Sequence, residues 1–274
     1  MAQPLARPDL SDLTVRVLSA AVMLPLAVAA IWLGGWPFLV LMVLIAAAMG
    51  WEWSALCHAA TWQRGFVVVV MVLSALLAAG GAYREAFSCI AAGSLFTAVV
   101  SRIGRCDAPI LLPVGVVYIA VALLSIAWLR LLPEAGLQTV LWMASAVVAT
   151  DVGAYFSGRF IGGPKLAPRI SPSKTWSGLA GGVTCAVIAG VLNVWFMGSG
   201  AIAQIAILSG LLAVVAQSGD LIESVVKRHF GVKDAGNLIP GHGGVLDRLD
   251  GFLTVAPVTG LMTWFAGGSP LKWQ

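Results

Sequence analysis

The chain has 274 residues, of which 59% are hydrophobic and only 10% are charged, and its mean hydropathy is +0.94. So few charged side chains cannot cover the surface of a water-soluble globule, so the composition excludes a soluble protein and indicates an integral membrane protein. The formal net charge of +4 does not indicate a nucleic-acid partner, because the basic residues border long apolar runs and form no basic arm or patch. The four cysteines have no metal-site or disulfide spacing, and we interpret them as packing residues.

Apolar runs that suit membrane spans recur along the whole chain. A hydrocarbon core of about 30 Å requires about 20 residues of helix, and nine runs approach or exceed this length. They lie at 16–33, 36–57, 66–82, 86–101, 110–131, 137–158, 178–198, 202–223 and 251–267. The sequence therefore predicts an all-α polytopic membrane protein with about nine transmembrane helices, which form a single integral membrane domain over residues 1–274.

The first run has a second interpretation, a cleaved signal peptide, because Arg7 and Arg16 precede it. Another span follows almost at once, which favours a transmembrane helix. Residues 1–135 hold mainly apolar spans and are predicted to be scaffold. Residues 136–267 hold the polar loops and are predicted to carry the active site.

The distribution of basic residues predicts the orientation in the membrane. With the N-terminus in the cytoplasm and nine spans, thirteen of the sixteen Lys and Arg residues fall on the cytoplasmic side, and only Arg84, Arg130 and Lys272 fall outside. Basic residues accumulate on the cytoplasmic side of membrane proteins. We therefore expect a multi-pass protein of the inner (cytoplasmic) membrane, with its C-terminus outside and both long polar loops, 159–177 and 224–250, in the cytoplasm.

Two acidic residues lie within predicted spans. Glu52 stands between two tryptophans near the end of the second span; it is a functional candidate, or it simply reaches interfacial water. Asp151 lies on a helix surface of small residues and should face protein or a water-filled cavity, either for function or paired with Arg159.

Small residues recur at every fourth position of the seventh span. They are Gly178, Gly182, Ala186 and Gly190. Such a seam lets another helix approach closely. It could serve a neighbouring helix of the same chain or a second subunit in a homodimer.

The loop 161–177 combines rigidity with positive charge. It reads IGGPKLAPRISPSKTWS, and its three prolines stiffen it. Its basic and hydroxyl side chains suit phosphate oxygens; they are Lys165, Arg169, Ser171, Ser173, Lys174 and Thr175. Contact with anionic lipid headgroups is the alternative, but the Ser-Pro-Ser-Lys-Thr order favours phosphate binding.

The stretch 220–250 gathers five of the twelve acidic residues of the chain. Asp220, Ser224 and Lys227 are spaced to share one helix face. Asp247 and Asp250 also project to one side if the ninth helix begins near 246. Neighbouring carboxylates need a cation between them, and oxygen ligands without thiolates suit Mg²⁺ or Mn²⁺ better than zinc.

The segment PGHGGV at 240–245 is too rich in glycine for a helix. Its bare backbone at Gly243 and Gly244 can approach a phosphate closely, and His242 can donate to a phosphate oxygen or shuttle a proton. The basic residues nearby are Lys227, Arg228, Lys233 and Arg248. Together these features indicate metal-dependent phosphoryl or nucleotidyl transfer between a soluble nucleotide and a lipid phosphate.

The stretch 224–250 reads SVVKRHFGVKDAGNLIPGHGGVLDRLD and resembles the full signature of the phosphatidate cytidylyltransferases, also called CDP-diacylglycerol synthases. Upstream, DVGAYFSGR at 151–159, SPSKTW at 171–176 and QSGDL at 217–221 also fit this family. The resemblance extends over residues 110–250, while the N-terminal spans agree in number and character only. Ser173 and Ser177 stand where many members have Lys and Glu, which leaves the ligand contacts of that loop open.

The resemblance implies transfer of CMP from CTP to phosphatidic acid with Mg²⁺, and room for a second, monovalent cation. The expected partners are CTP, phosphatidic acid and membrane lipids. The implied metal ligands are Asp220, Asp247 and Asp250, and the implied catalytic residues are Asp220, Asp247, Lys227 and Ser224. The predicted substrate-binding residues are Asp151, Ser173, Lys174, Arg228, Lys233, His242, Gly243, Gly244 and Arg248.

Two other function classes are less favoured. Asp247-Arg-Leu-Asp250-Gly251 matches the beginning of the Asp-x-x-Asp-Gly motif of CDP-alcohol phosphotransferases, but no acidic residue follows Asp250. A transporter or channel would spread its charges through several spans near the midplane. Here the charges cluster at the predicted cytoplasmic ends.

Overall fold

The computed structural model describes residues 10–103, 106–197, 202–241 and 243–273. These ranges contain nine long helices: α1 (Leu10–Leu33), α2 (Gly35–Leu56), α3 (Thr61–Ala79), α4 (Tyr83–Ile103), α5 (Leu111–Arg130), α6 (Gly136–Phe160), α7 (Trp176–Met197), α8 (Ile202–His229) and α9 (Leu246–Phe265). A short 3₁₀ helix (Pro270–Lys272) follows α9. The prediction of an all-α polytopic membrane protein is confirmed.

Seven of the helices, α2 to α8, are long and apolar enough to cross a membrane. In α1 the apolar segment Ala21–Leu33 is shorter, and the first turns of α9 contain Asp247, Arg248 and Asp250. Large apolar side chains on the outer faces of the bundle, such as Leu95 and Ile207, are exposed. Lipid tails are as apolar as these side chains, so exposure to lipid carries no hydrophobic penalty.

The helix boundaries differ from the predicted spans mainly beside the polar stretch. Helix α8 continues to His229 and α9 already begins at Leu246, so the loop between them covers only 230–245. The predicted loop 224–250 is therefore too long, because charged side chains of α8 and α9 face each other inside the protein. The start of the ninth helix near 246, on which the shared side of Asp247 and Asp250 depended, is confirmed.

A two-stranded antiparallel hairpin, β1 (Lys165–Ala167) and β2 (Ser171–Thr175), joins α6 to α7. The sequence, with three prolines in this segment, did not predict it. Gly162 and Gly163 lead into the hairpin with φ values of 68° and 101°, backbone conformations that side chains with a Cβ rarely adopt. Lys174 is the second-last residue of β2 and lies two residues before the start of α7.

The glycine seam of α7 packs against helices of the same chain. A Cβ at Gly182 would lie 2.9 Å from the carbonyl oxygen of Thr150 in α6, and a Cβ at Gly190 would overlap the hydroxyl of Ser209 in α8. Gly178 is buried against α6 in the same way. The seam therefore serves neighbouring helices, and the homodimer stays a prediction without support from it.

Two large apolar cores, with a small third cluster around Ala146, Ala186 and Ala213, hold the described part of the bundle together. The larger lies among α2, α3, α4 and α5 and reaches α9 through Leu246 and Leu253. Trp53 of α2 crosses it and donates its indole N–H to the Leu112 carbonyl at 3.1 Å. The smaller core joins α5, α6, α8 and α9 around Trp142. Because α9 contributes to both cores, it connects the first half of the chain to the second.

Alternation of helix direction brings the connections after α2, α4, α6 and α8 to one end of the bundle, which we call the polar end. His58 Nδ1 lies 2.8 Å from Asp107 Oδ2, and the His58 ring meets Phe230 edge-on at 5.9 Å. These contacts join three of the four connections. At the opposite end, Arg130 donates to the Ile31 carbonyl at 2.7 Å.

Candidate active site

Side chains from the hairpin and from α8 meet near the polar end. Lys174 Nζ lies 2.6 Å from Asp220 Oδ2. Ser224, one turn after Asp220 on α8, donates its hydroxyl to Asp220 Oδ1 at 3.3 Å. The hairpin and the polar stretch therefore belong to one site, and the shared helix face predicted for Asp220 and Ser224 is confirmed.

Lys227 connects α8 to α9. Its ammonium lies 2.7 Å from Asp247 Oδ1 and 3.5 Å from Glu223 Oε1. The Lys227 side chain is only 12% exposed, and those of Glu223 and Asp247 are 5% and 4% exposed. At this burial each charge depends on its partners, because an unpaired charge would carry a large desolvation cost.

Asp247 also fixes the loop that precedes it. Its carboxylate accepts backbone N–H groups from Ala235, at 3.1 and 2.9 Å, and from Gly244, at 2.9 Å. Gly243 lies close by with φ of 82°, and a Cβ there would come within 3.3 Å of Asp247 Oδ2. The glycines thus let the backbone fold tightly around this carboxylate.

A second group of acids lies beside the Lys227 pair. Asp250 interacts electrostatically with Asp220 and Glu223, and Asp151 of α6 interacts with Asp250, Asp220 and Lys174. We call Asp151, Asp220, Glu223 and Asp250 the acid cluster. Interacting carboxylates repel one another unless a proton or a cation lies between them.

Asp151 reaches this cluster and does not pair with Arg159. The guanidinium of Arg159 donates instead to the Tyr155 hydroxyl at 2.9 Å and lies over the Tyr155 ring. Asp151 interacts electrostatically with Arg248 of α9 as well. The small residues that follow Asp151 in the chain, such as Gly153, pack against α7.

Glu52 of α2 reaches the start of α9. Its carboxylate accepts the N–H of Val245 at 3.0 Å and of Leu246 at 2.8 Å. The residue is only 2% exposed, so the alternative that Glu52 reaches interfacial water is wrong. A carboxylate at a helix N-terminus satisfies N–H groups that have no partner within the helix and complements the helix dipole.

The other predicted site residues in the described part of the chain have exposed side chains. Ser173 is exposed on β2, and its hydroxyl is 3.5 Å from that of Ser171. Arg228 is exposed and donates to the Val232 carbonyl at 2.9 Å, while Lys233 is exposed on the loop after α8. Arg248 is exposed on the first turn of α9. His242 lies outside the described residues, so its predicted role is not examined by the structure.

Comparison with known proteins gives the arrangement a context. The family model described as "Cytidylyltransferase family" matches residues 14–266. The chain belongs to the cytidylyltransferase family. A phosphatidate cytidylyltransferase from Brucella suis biovar 1 is 38% identical over 255 residues, which cover 90% of this chain and 92% of that protein. A protein of the same name from Bacillus subtilis is 40% identical over 169 residues, which cover 59% of this chain and 61% of that protein. Another, from Mycobacterium leprae, is 45% identical over 138 residues, which cover 50% of this chain and 44% of that protein.

The donor chemistry of the acid cluster fits the divalent cation that we expect in this family. Asp220, Glu223 and Asp250 offer only carboxylate oxygens, the ligand type that Mg²⁺ prefers, and their mutual repulsion favours a bound cation. Among the described residues, no three His, Cys, Asp or Glu side chains already converge in a metal-binding arrangement. Asp247 is occupied by Lys227 and backbone N–H groups, so its role as a metal ligand stays a prediction.

Glu223 is the one acidic residue of the acid cluster for which the sequence predicted no role. It lies three residues after Asp220 and four before Lys227. These spacings place all three on one face of α8. The spacing in the sequence was therefore enough to place Glu223 beside Asp220 and Lys227. An acid in the middle of that face, in a helix continuing to His229, is expected to share the site.

Proposed function

We propose that the chain is a phosphatidate cytidylyltransferase that transfers CMP from CTP to phosphatidic acid and releases pyrophosphate. The observation that carries the proposal is the Lys174–Asp220 ion pair of 2.6 Å, because it joins the basic hairpin to an acidic centre at one end of a membrane helix bundle. Family membership and relatives named for this activity support the same reaction.

The reaction joins two anions. An oxygen of the phosphatidate attacks the α-phosphorus of CTP and forms a new P–O bond, while the bond from that phosphorus to the oxygen bridging to the β-phosphorus breaks. Pyrophosphate leaves with the bonding electrons. Since the phosphate nucleophile is already anionic, the site chiefly has to hold both substrates in line and offset their repulsion.

We assign two basic side chains to the phosphates of CTP and a third to the backbone beside them. Lys174 stands on the hairpin, Arg248 on the first turn of α9, and Lys227 between the two helices. Lys174 and Arg248 act on the β- and γ-phosphates of CTP, where negative charge grows as pyrophosphate leaves. Lys227 keeps Asp247 and the glycine backbone at 243–244 in position for the phosphate chain.

Asp220, Glu223 and Asp250 would hold a Mg²⁺ ion, with Asp247 the further ligand predicted from the sequence. When bound, Mg²⁺ supplies positive charge to the phosphate oxygens and orients them for displacement. Ser224 keeps the Asp220 carboxylate oriented through its hydroxyl. Asp151 approaches the same region from α6.

An apolar groove gives the lipid substrate a place beside the acid cluster. The groove has a volume of about 450 Å³ and runs between α5, α8 and α9, where Val121, Val214 and Pro257 line it. Tyr118, also in its lining, interacts electrostatically with Asp250 and Glu223. An acyl chain of phosphatidic acid lies in this groove with its phosphate beside the acids.

The activity is tested with purified protein in detergent–lipid micelles by following pyrophosphate release. We expect release only when CTP, phosphatidic acid and Mg²⁺ are all present, with CDP-diacylglycerol formed in equal amount. Diacylglycerol in place of phosphatidic acid is the matched control, because it keeps the acyl chains and lacks the attacking phosphate. Folded protein that gave no release with any nucleotide, or equal release with diacylglycerol, would contradict the proposal.

A further inference from the structure

The buried carboxylate of Glu52 lies on α2, far along the chain from the other acids of the site. It accepts the backbone N–H groups of Val245 and Leu246, while the preceding N–H, that of Gly244, is accepted by Asp247. Three successive N–H groups at the entry to α9 are therefore held by two carboxylates, one from α2 and one from α9 itself. Neither carboxylate can move without releasing part of this turn.

The two glycines of the loop are fitted to Glu52. A Cβ at Gly236 would lie 2.5 Å from Glu52 Oε1, and a Cβ at Gly244 would lie 2.7 Å from Glu52 Oε2. Separations below 3.0 Å are not tolerated by real Cβ atoms. The loop backbone therefore packs directly against the Glu52 carboxylate. This carboxylate fills the space that a side chain at position 236 or 244 would need.

Glu52 also reaches the site through Asp247. The two carboxylates interact electrostatically, and Asp247 binds the ammonium of Lys227 at 2.7 Å. Glu52 thus contacts the turn 244–246, this turn contacts Asp247, and Asp247 contacts Lys227. A shift at Glu52 therefore changes where Asp247 and Lys227 lie.

We propose that Glu52 is a positioning residue for nucleotidyl transfer. By holding the N–H groups of Val245 and Leu246, it fixes the position of the turn 244–246 and of Asp247. This proposal rests on the proposed function for its kinetic readout. It assigns a role at the active site to α2, a helix in the half of the chain that we predicted to be mainly scaffold.

The test compares Glu52→Gln with Gln63→Leu. Gln63 is a matched control, because it is also fully buried and its side chain accepts the Ala60 N–H at 2.9 Å at the start of α3. It also donates to the Val100 carbonyl at 3.0 Å. Both substitutions disturb a buried side chain that accepts N–H groups at the start of a helix. Only Glu52 does so at α9, beside Asp247.

We expect Glu52→Gln to lower kcat about 10- to 100-fold per folded molecule, because a displacement of about 1 Å in reacting groups costs about 100-fold. Amide hydrogen exchange at Ala235, Gly244, Val245 and Leu246 should accelerate in the same variant. Gln63→Leu should lower thermal stability, yet keep kcat within about twofold and leave these four amides unchanged.

Equal kcat per folded molecule in Glu52→Gln and wild type would overturn the proposal, as would equal acceleration of the four amides in Gln63→Leu. If Glu52→Gln does not fold, Glu52→Asp decides in its place: its side chain keeps the charge but is one methylene shorter, so kcat should fall and exchange of the four amides should accelerate relative to wild type. Wild-type values of both would overturn the proposal. If wild type does not use CTP and phosphatidic acid, the proposed function fails, and the exchange comparison alone still decides the role of Glu52.

Discussion

The buried carboxyl groups of this protein divide into two kinds at the level of single residues. Glu52 and Asp247 receive backbone N–H groups, and Asp247 is also paired with Lys227. Glu223 and Asp250 instead interact electrostatically with each other; Asp250 also accepts the N–H of its chain neighbour Gly251 at 2.7 Å, a contact that holds no other element. The first kind holds backbone in place, whereas the second leaves negative charge for a cation or a substrate to neutralise.

Asp220 is the best single position at which to separate chemistry from folding. Its side chain is 31% exposed, so Asp220→Asn should leave the protein folded while turnover falls about 100-fold, because a ligand of the cation and the partner of Lys174 is lost. Pyrophosphate release and the thermal unfolding midpoint measure the two effects. Asp107→Asn is the control, since Asp107 is an exposed acid paired with His58. Near-normal turnover in Asp220→Asn would remove Asp220 from the metal site.

Lys174 should matter for nucleotide binding more than for folding. We expect Lys174→Ala to raise the KM for CTP about 10-fold or more, since a hydrogen bond to a charged group contributes about 1.5–3 kcal/mol. Arg102→Ala is the control, because Arg102 is an exposed basic residue at the same end of the bundle to which we assign no substrate contact. Steady-state kinetics at saturating phosphatidic acid measure both variants. An unchanged KM in Lys174→Ala would argue against a nucleotide contact.

Gly244→Ala tests the close approach of the loop to Glu52. A methyl group there would come within 2.7 Å of the Glu52 carboxylate, so we expect a loss of stability of about 1–3 kcal/mol together with reduced turnover. Combining it with Glu52→Ala opens the space, and the double variant should be less destabilised than the sum of the single variants. Strict additivity in chemical unfolding would show that the two groups do not meet.

At the level of elements, the length of the apolar runs was enough to predict nine helices. The sequence also predicted that Asp220, Ser224 and Lys227 share a face, since residue spacing alone decides that. The hairpin at 165–175 was missed, because its register depends on strand pairing and no alternation of apolar residues marks it. The contact of Glu52 with Leu246 was missed for another reason: it joins residues 194 positions apart, and no local pattern encodes such a distance.

The packing of α6 against α7 should be sensitive to a single added methyl group on α6. A Cβ at Gly153 would lie 2.6 Å from the Gly181 carbonyl oxygen and 2.7 Å from the Cys185 sulfur. Gly153→Ala should therefore destabilise the protein by about 1–3 kcal/mol, since overpacking forces the helices apart. Gly65→Ala is the control, because no atom lies within 4 Å of a Cβ at Gly65 in α3. Equal unfolding midpoints for the two variants would contradict the tight packing of α6 and α7.

For the whole molecule, the structure divides the basic residues between the two ends of the bundle. Among the residues whose side chains the structure describes, those at or near the polar end are Arg64, Arg102, Arg159, Lys165, Arg169, Lys174, Lys227, Arg228, Lys233 and Arg248, against Arg84, Arg130 and Lys272 at the opposite end. Ten against three is the asymmetry that orients membrane proteins with their basic side in the cytoplasm. CTP is a soluble nucleotide, so an active site at the polar end also requires that end to face the compartment that supplies it.

Single cysteines introduced at the two ends test this orientation. In a variant without the four native cysteines, Arg169→Cys places a thiol on the turn of the hairpin, and Glu134→Cys places one on the connection after α5; both residues are exposed. In intact spheroplasts a membrane-impermeant maleimide should label Glu134→Cys at once and Arg169→Cys only after permeabilisation, because basic loops stay in the cytoplasm. Pyrophosphate release by each variant shows that the labelled protein is folded. Labelling of Arg169→Cys from outside would reverse the orientation and would place the acid cluster on the side of the membrane away from cytoplasmic CTP.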